Sequence, residues 1–373
     1  MKFLAASLAV ILLNFSASSL SAEVYGANRP IYSSQTLADR NQTAIFHRQF
    51  TRLCDLAANR VQDNKNKDPF FIDSYEVRAL CVAYDMTGDP KYLDACKSWS
   101  ERMIKPQKGM IPAGAYYINY GRKPGENHGD WYVADCSSIA MAVLSTAVRC
   151  EEPDRARFLG SVEKFWSMVS LKFVRPSGGV ADGYWPQSDR AWWCSSSLFG
   201  SLTFMLYANT GDMKYLRTGL AIIDWLNKLD LEKTGPLPLS EQGPAMPMYV
   251  MEAYSSGWPY IIRNIARKTA ALKQVSWCLN WSDRQQKIPI SKRKWVVTEW
   301  WGAKYGGLPF HQYVFSHYLH SRQALAVASD KEMRRLAGYI FADSSQAAQL
   351  AAFMMLSYAE LLDPGAIYRA IGK

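Results

Sequence analysis

Apolar positions follow two different rhythms that alternate along this chain. Tyr92, Cys96, Trp99 and Met103 come at steps of four, three and four, the single stripe of an amphipathic helix with one buried face. By contrast, Ile139 to Leu144, much of Leu198 to Tyr207, and Leu350 to Leu356 are apolar almost without a break, which predicts helices buried on most sides. The alternation predicts an inner layer of buried helices wrapped by an outer layer of amphipathic ones.

The joints between the two kinds repeat. Thr87-Gly88-Asp89-Pro90-Lys91-Tyr92-Leu93 recurs as Thr210-Gly211-Asp212-Met213-Lys214-Tyr215-Leu216, and weaker versions begin at Cys150 and Ala328. The step is about sixty residues, with one unmarked corner expected near Thr269 to Lys273. Glycine can take the left-handed conformation that closes a helix, aspartate can cap the next one, and Pro90 suits a first helical position. Each echo therefore predicts a tight corner from an inner helix to an outer one. The predicted fold is all-α, an α/α toroid of about six helical hairpins, with an irregular helical bundle as the alternative.

Short corners at one end imply long connections at the other. They run from Lys105 to Asp130, Phe173 to Arg190, Asp230 to Pro247 and Asn280 to Gly307, and they lead into the starts of the inner helices. Function tends to sit on long loops held by a rigid scaffold, and helix N-termini favour anions. The active face is expected there. Lys287, Lys292, Arg293 and Lys294 in the fourth loop suit a short hairpin lid or a partner surface.

The N-terminus reads differently. Lys2, the apolar run Phe3 to Leu13 and the small-residue site Ser19-Leu20-Ser21-Ala22 match a secretory signal peptide over residues 1–22. Residues 23–373 then form a single catalytic domain, placed in the periplasm or outside the cell. The apolar run is too short to span a bilayer and no later stretch is long enough, so no membrane span is predicted.

Composition narrows the class further. With 49% apolar and 20% charged residues the chain is neither disordered, collagen-like nor a coiled coil. Its seven cysteines are spread singly, without a Cys-x-x-Cys pair, which argues against a structural zinc site and leaves any disulfide pairing unassigned. The net charge of +10 is dispersed rather than gathered in a stripe, so nucleic-acid binding is not predicted, whereas a cleft that attracts a soluble polyanion is.

Rings, carboxylates and amides gather on the loop face. Tyr116, Trp131, Tyr132, Trp185, Trp192, Trp193, Tyr249, Glu252, His311 and Tyr313 are the candidate substrate-binding residues. Aromatic planes stack on the C–H faces of sugars while polar groups take directed hydrogen bonds from the hydroxyls. Beside a basic surface, this predicts an acidic polysaccharide or oligosaccharide as substrate; the oligomeric state is left open.

In this architecture the chain resembles carbohydrate-active enzymes built on α/α toroids, among them alginate and glucuronan lyases and unsaturated glucuronyl hydrolases. Asn127-His128 followed by Trp131 is similar to the Asn-Asn-His-Ser-Tyr-Trp of the alginate lyases at the start of an inner helix. That resemblance implies that Asn127 and His128 neutralise a uronate carboxylate, with Tyr184 and Arg190 supplied by the next inner-helix region. Glu126 and Asp130 depart from that pattern, and the order of Tyr184 and Arg190 is reversed. Elimination needs the carboxylate neutralised before the C5 proton can leave, and Asn127, His128 and Arg190 suit that task. His128 and Tyr184, with Tyr249 and His311 as substitutes, are the expected base and acid.

The alternative is hydrolysis, with Asp130 or Asp135 at an inner-helix start and Glu252 or Asp189 facing it as acid and base. A third reading is a non-catalytic binder of acidic glycans. No nucleotide loop, serine-nucleophile elbow or metal-ligand cluster stands out, so neither an organic cofactor nor a metal is predicted.

Overall fold

The computed structural model describes residues 44–63, 69–119, 121–129, 131–183, 190–231 and 245–287, with isolated positions between 355 and 368. The segment read as a signal peptide, the corner at Ala328 to Asp330, the proposed lid and most of Leu350 to Leu356 lie outside them.

The two strong echoes are built as their chemistry predicts. Gly88 closes α2 (Phe70–Thr87) at φ 69°, and Asp89 caps α3 (Pro90–Ile104) by accepting from the Lys91 amide at 3.0 Å. Gly211 closes α6 (Trp193–Thr210) at φ 71°, and Asp212 caps α7 (Met213–Leu226) by accepting from the Lys214 amide at 2.9 Å. At both φ values a side chain would be strained, so the glycine is what lets the chain reverse within two residues. The remaining helices are α1 (Ala44–Gln62), α4 (Val133–Ala147), α5 (Asp154–Lys172), α8 (Ala245–Ile261) and α9 (Ile265–Lys287). No strand occurs among the described residues, only isolated bridges in the loops.

The two rhythms separate into two layers. α2, α4, α6 and α8 pack side by side in chain order, and each carries its following helix, α3, α5, α7 or α9, on the outside. α1 lies against both α2 and α3 as a further outer helix. Buried rings such as Trp166, stacked on Phe199 and edge-on to Tyr215, fill the space between the layers. The fold is thus all-α, the curved double layer of an α/α toroid, and four inner–outer hairpins lie among the described residues. Tyr368, near the C-terminal end, packs over the guanidinium of Arg78 on α2, so the chain returns to the first inner helix.

Two expectations about boundaries are corrected. The unmarked corner falls at Ile262 to Asn264, between α8 and α9, and Thr269 to Lys273 lies inside α9. No Gly-Asp pair marks it because Asn264 does the capping, its Oδ1 accepting from the Arg267 amide. α9 also runs to Lys287, so Asn280 is helical and the fourth loop begins later than expected. None of the helices in the described residues is long and apolar enough to cross a membrane.

Candidate active site

The starts of the inner helices are drawn together by the loops between them. The segment 174–183 is sewn to α6 by two serines, Ser196 accepting from the Val180 amide at 2.8 Å and Ser195 donating to the Asp182 carboxylate at 2.5 Å. The Asp182 carbonyl in turn accepts from the amide of Val133, the first residue of α4. Asp182 therefore sits in the seam between the N-termini of α4 and α6. Burial pushes its carboxyl above the usual carboxylate range, against the opposing pull of the Ser195 hydrogen bond.

Asp135 stands in the first turn of α4, two residues beyond that seam. Every other residue of α4 is buried; Asp135 alone is half-exposed. A carboxylate at this place interacts favourably with the helix dipole. Cys194 on α6 lies among the carboxylates. Burial and then the charges of Asp182, Asp135 and Glu252 hold its thiol well above its ordinary pKa, so it remains protonated.

Deeper in, α2 and α8 supply a polar floor. Tyr75 bonds Ser138 at 3.2 Å and lies beside Tyr249, whose ring stacks on Trp193 at 6.3 Å between centroids. Below them Arg78 donates to Glu252 at 2.5 Å, with both side chains fully buried. Burial, followed by the neighbouring Tyr75, Cys194 and Asp135, pushes the Tyr249 hydroxyl well above its ordinary range. Tyr249 therefore stays protonated and can donate a hydrogen bond but not act as a base.

The sequence-derived candidates divide into three groups. Asn127 and His128 are exposed at the tip of the loop ahead of α4, and Arg190 is exposed just ahead of α6. Among the described residues no hydrogen bond or ion pair joins these three to one another. Tyr132 and Trp192 are half-buried at the starts of α4 and α6. Tyr184, Trp185, Asp130, Asp189, His311 and Tyr313 lie outside the described residues.

The other candidates belong to the interior. Tyr116 is a core residue: it is fully buried, packs on Phe165 and bonds Ser161 at 2.9 Å. Trp131 is buried beneath the Arg122 guanidinium, which the loop 122–129 wraps, Arg122 donating to the Glu126 carbonyl. Trp193, Tyr249 and Glu252 are buried as well. Tyr116 and Trp131 follow the long loop into the core because burying their large rings is more favourable than leaving them on the rim.

Sequence reasoning missed Asp182 as a site residue. Its only signal was the Trp193-Cys194-Ser195-Ser196-Ser197 start of α6, an unusual density of hydroxyls on an otherwise apolar inner helix. Among the described residues no group of three or more His, Cys, Asp or Glu is placed to hold a metal ion. A separate groove of about 790 Å³ runs between α3 and α5 on the outer surface, lined by Arg102, Lys105, Lys108, Arg157 and Lys164. It is formed by outer helices, so it is not part of the inner-helix mouth.

No known family and no curated protein matches this sequence. Among solved structures the chain is similar to a family 76 glycoside hydrolase from a bovine Bacteroides thetaiotaomicron strain, at 14% identity and a TM-score of 0.49. The likeness covers 81% of this chain and 70% of that one.

Proposed function

We propose that this protein is an exported carbohydrate-active enzyme that hydrolyses glycosidic bonds, with Asp135 and Asp182 as its acid–base pair. The supporting observation is the contrast between the two carboxylates. Asp182 is half-buried, bonded by Ser195 and held toward its protonated form by desolvation, while Asp135, in the first turn of α4, is the one residue of that helix that is not fully buried. Two carboxyl groups in different environments are what acid–base cleavage of a glycoside requires. Asp182 protonates the departing glycosidic oxygen, and Asp135 takes a proton from the attacking water or attacks the anomeric carbon itself. Tyr132 and Trp192, half-buried at the starts of α4 and α6, are the rings on which a sugar would stack in this reading.

This reading moves the chemistry away from Asn127, His128, Tyr184 and Arg190. Elimination needs a base near C5, and Tyr249, its expected substitute, is held protonated. One observation favours elimination as the second reading: Asn127, His128 and Arg190 are all exposed on loops leading into the starts of α4 and α6, where they could meet a uronate.

Incubation of the purified protein with a panel of neutral and uronate glycans separates the readings. New reducing ends without absorbance at about 232 nm support hydrolysis. Reducing ends that appear together with that absorbance, and that vanish in His128→Ala, establish elimination. Retention on immobilised acidic glycan with no cleavage of any glycan overturns both in favour of a binder.

Asp182 also gives the pH profile a direction. An acid with a raised pKa keeps its proton to higher pH, so activity should fall as pH rises through that pKa. Ser195→Ala removes the hydrogen bond that favours the charged form, so the alkaline limb should move to higher pH. A limb that stays in place in Ser195→Ala means that Asp182 is not the acid.

A further inference from the structure

We infer that Cys81 and Cys96 close as a disulfide that ties inner helix α2 to outer helix α3. This rests on neither reading of the glycan chemistry. The two sulfurs lie 3.6 Å apart across the Gly88 corner, and both residues are fully buried. A disulfide needs about 2.05 Å between sulfurs, so the remaining approach is roughly 1.5 Å, a shift of side chains on two helices that already pack together. Cys150, buried at the corner after α4, interacts with both thiols and is the competing partner.

The step is a thiol–disulfide exchange with an external disulfide, such as oxidised glutathione or a disulfide oxidoreductase. The Cys81 thiolate attacks that disulfide, forms a mixed disulfide and releases the oxidant's first thiol. The Cys96 thiolate then attacks the Cys81 sulfur, forms the Cys81–Cys96 bond and expels the second. Two electrons and, in sum, two protons pass from the cysteines to the oxidant. Because both sulfurs are buried in the finished fold, the exchange takes place while α2 and α3 are still docking. An oxidising compartment, as the N-terminal segment predicts, supplies the oxidant.

The full chain is unfolded, refolded in a glutathione redox buffer, then denatured, alkylated and digested. Two of the seven cysteines should escape alkylation, and a linked peptide joining Cys81 to Cys96 should appear and split on reduction. Cys150→Ser should keep the linked peptide, and Cys96→Ser should return Cys81 to the alkylated pool. Reductant should lower the melting temperature of the unaltered chain but not that of Cys96→Ser. Alkylation of all seven cysteines, or a linked peptide containing Cys150, overturns the assignment. Should Cys96→Ser fail to fold, the peptide map of the unaltered chain decides alone.

Discussion

Asp135→Asn should lower glycan turnover by at least about a hundredfold, the usual contribution of a positioned acid or base, while leaving the melting temperature nearly unchanged. The two effects separate because of where Asp135 sits. Asparagine has almost the same shape and remains a good residue for a helix start, so packing and capping survive. Asp135 is also half-exposed, so its replacement leaves no buried group without solvation. What the variant loses is the negative charge near Cys194 and, in the proposed mechanism, the ability to take a proton from water or to attack the anomeric carbon. Rates on the best glycan from the panel, measured beside a thermal melt, check both halves. Turnover within about tenfold of the unaltered protein would remove Asp135 from the mechanism.

Breaking the Arg78–Glu252 pair should give the largest loss of stability. Both side chains are fully buried and they join α2 to α8, the first and fourth inner helices of the described layer. Removing one member of a buried pair costs about 3–5 kcal/mol, because the other charge is left without compensation. The two single variants should differ with pH. Burial already holds Glu252 above the usual carboxylate range in spite of Arg78. In Arg78→Met that carboxyl loses its cation, its folded pKa rises further, and it meets the loss by taking up a proton. A raised folded pKa contributes stability below the unfolded value that is lost as pH rises through the folded one. The deficit of Arg78→Met should therefore be small in acid and grow toward neutral pH. Glu252→Gln leaves a guanidinium that cannot shed its proton, so its deficit should persist across the range. Denaturant unfolding at several pH values checks this, and equal, pH-independent deficits for the two variants would show that the charge does not matter there. Replacing both members with apolar residues of similar volume should recover most of the loss.

The residues that proved legible in the sequence act locally. Thr87 and Thr210 each donate to the carbonyl four residues back and accept the amide of the capping aspartate, the same small circuit written twice. Such motifs need only their own six or seven residues, so they can be read without knowing what surrounds them. The Ile262 corner was misplaced because its signal, a lone Asn264 as cap, is common enough to pass unnoticed.

The site was harder to read because its partners are far apart in the chain. Arg78 and Glu252 are separated by 174 residues and Tyr75 and Ser138 by 63, and no periodicity relates them. The rim was overpopulated for a related reason. Tyr116 and Trp131 sit in long loops rich in sugar-binding types of residue, yet their side chains turn inward to Phe165 and to Arg122.

By itself the order of residues determined that this chain forms paired helices, buried inside and amphipathic outside, because helix periodicity and capping are short-range properties. Only the tertiary structure decided which carboxylate is desolvated. Asp182 becomes an acid candidate through a serine thirteen residues later and a backbone amide forty-nine residues earlier, and desolvation exists only once α4 and α6 have closed around it.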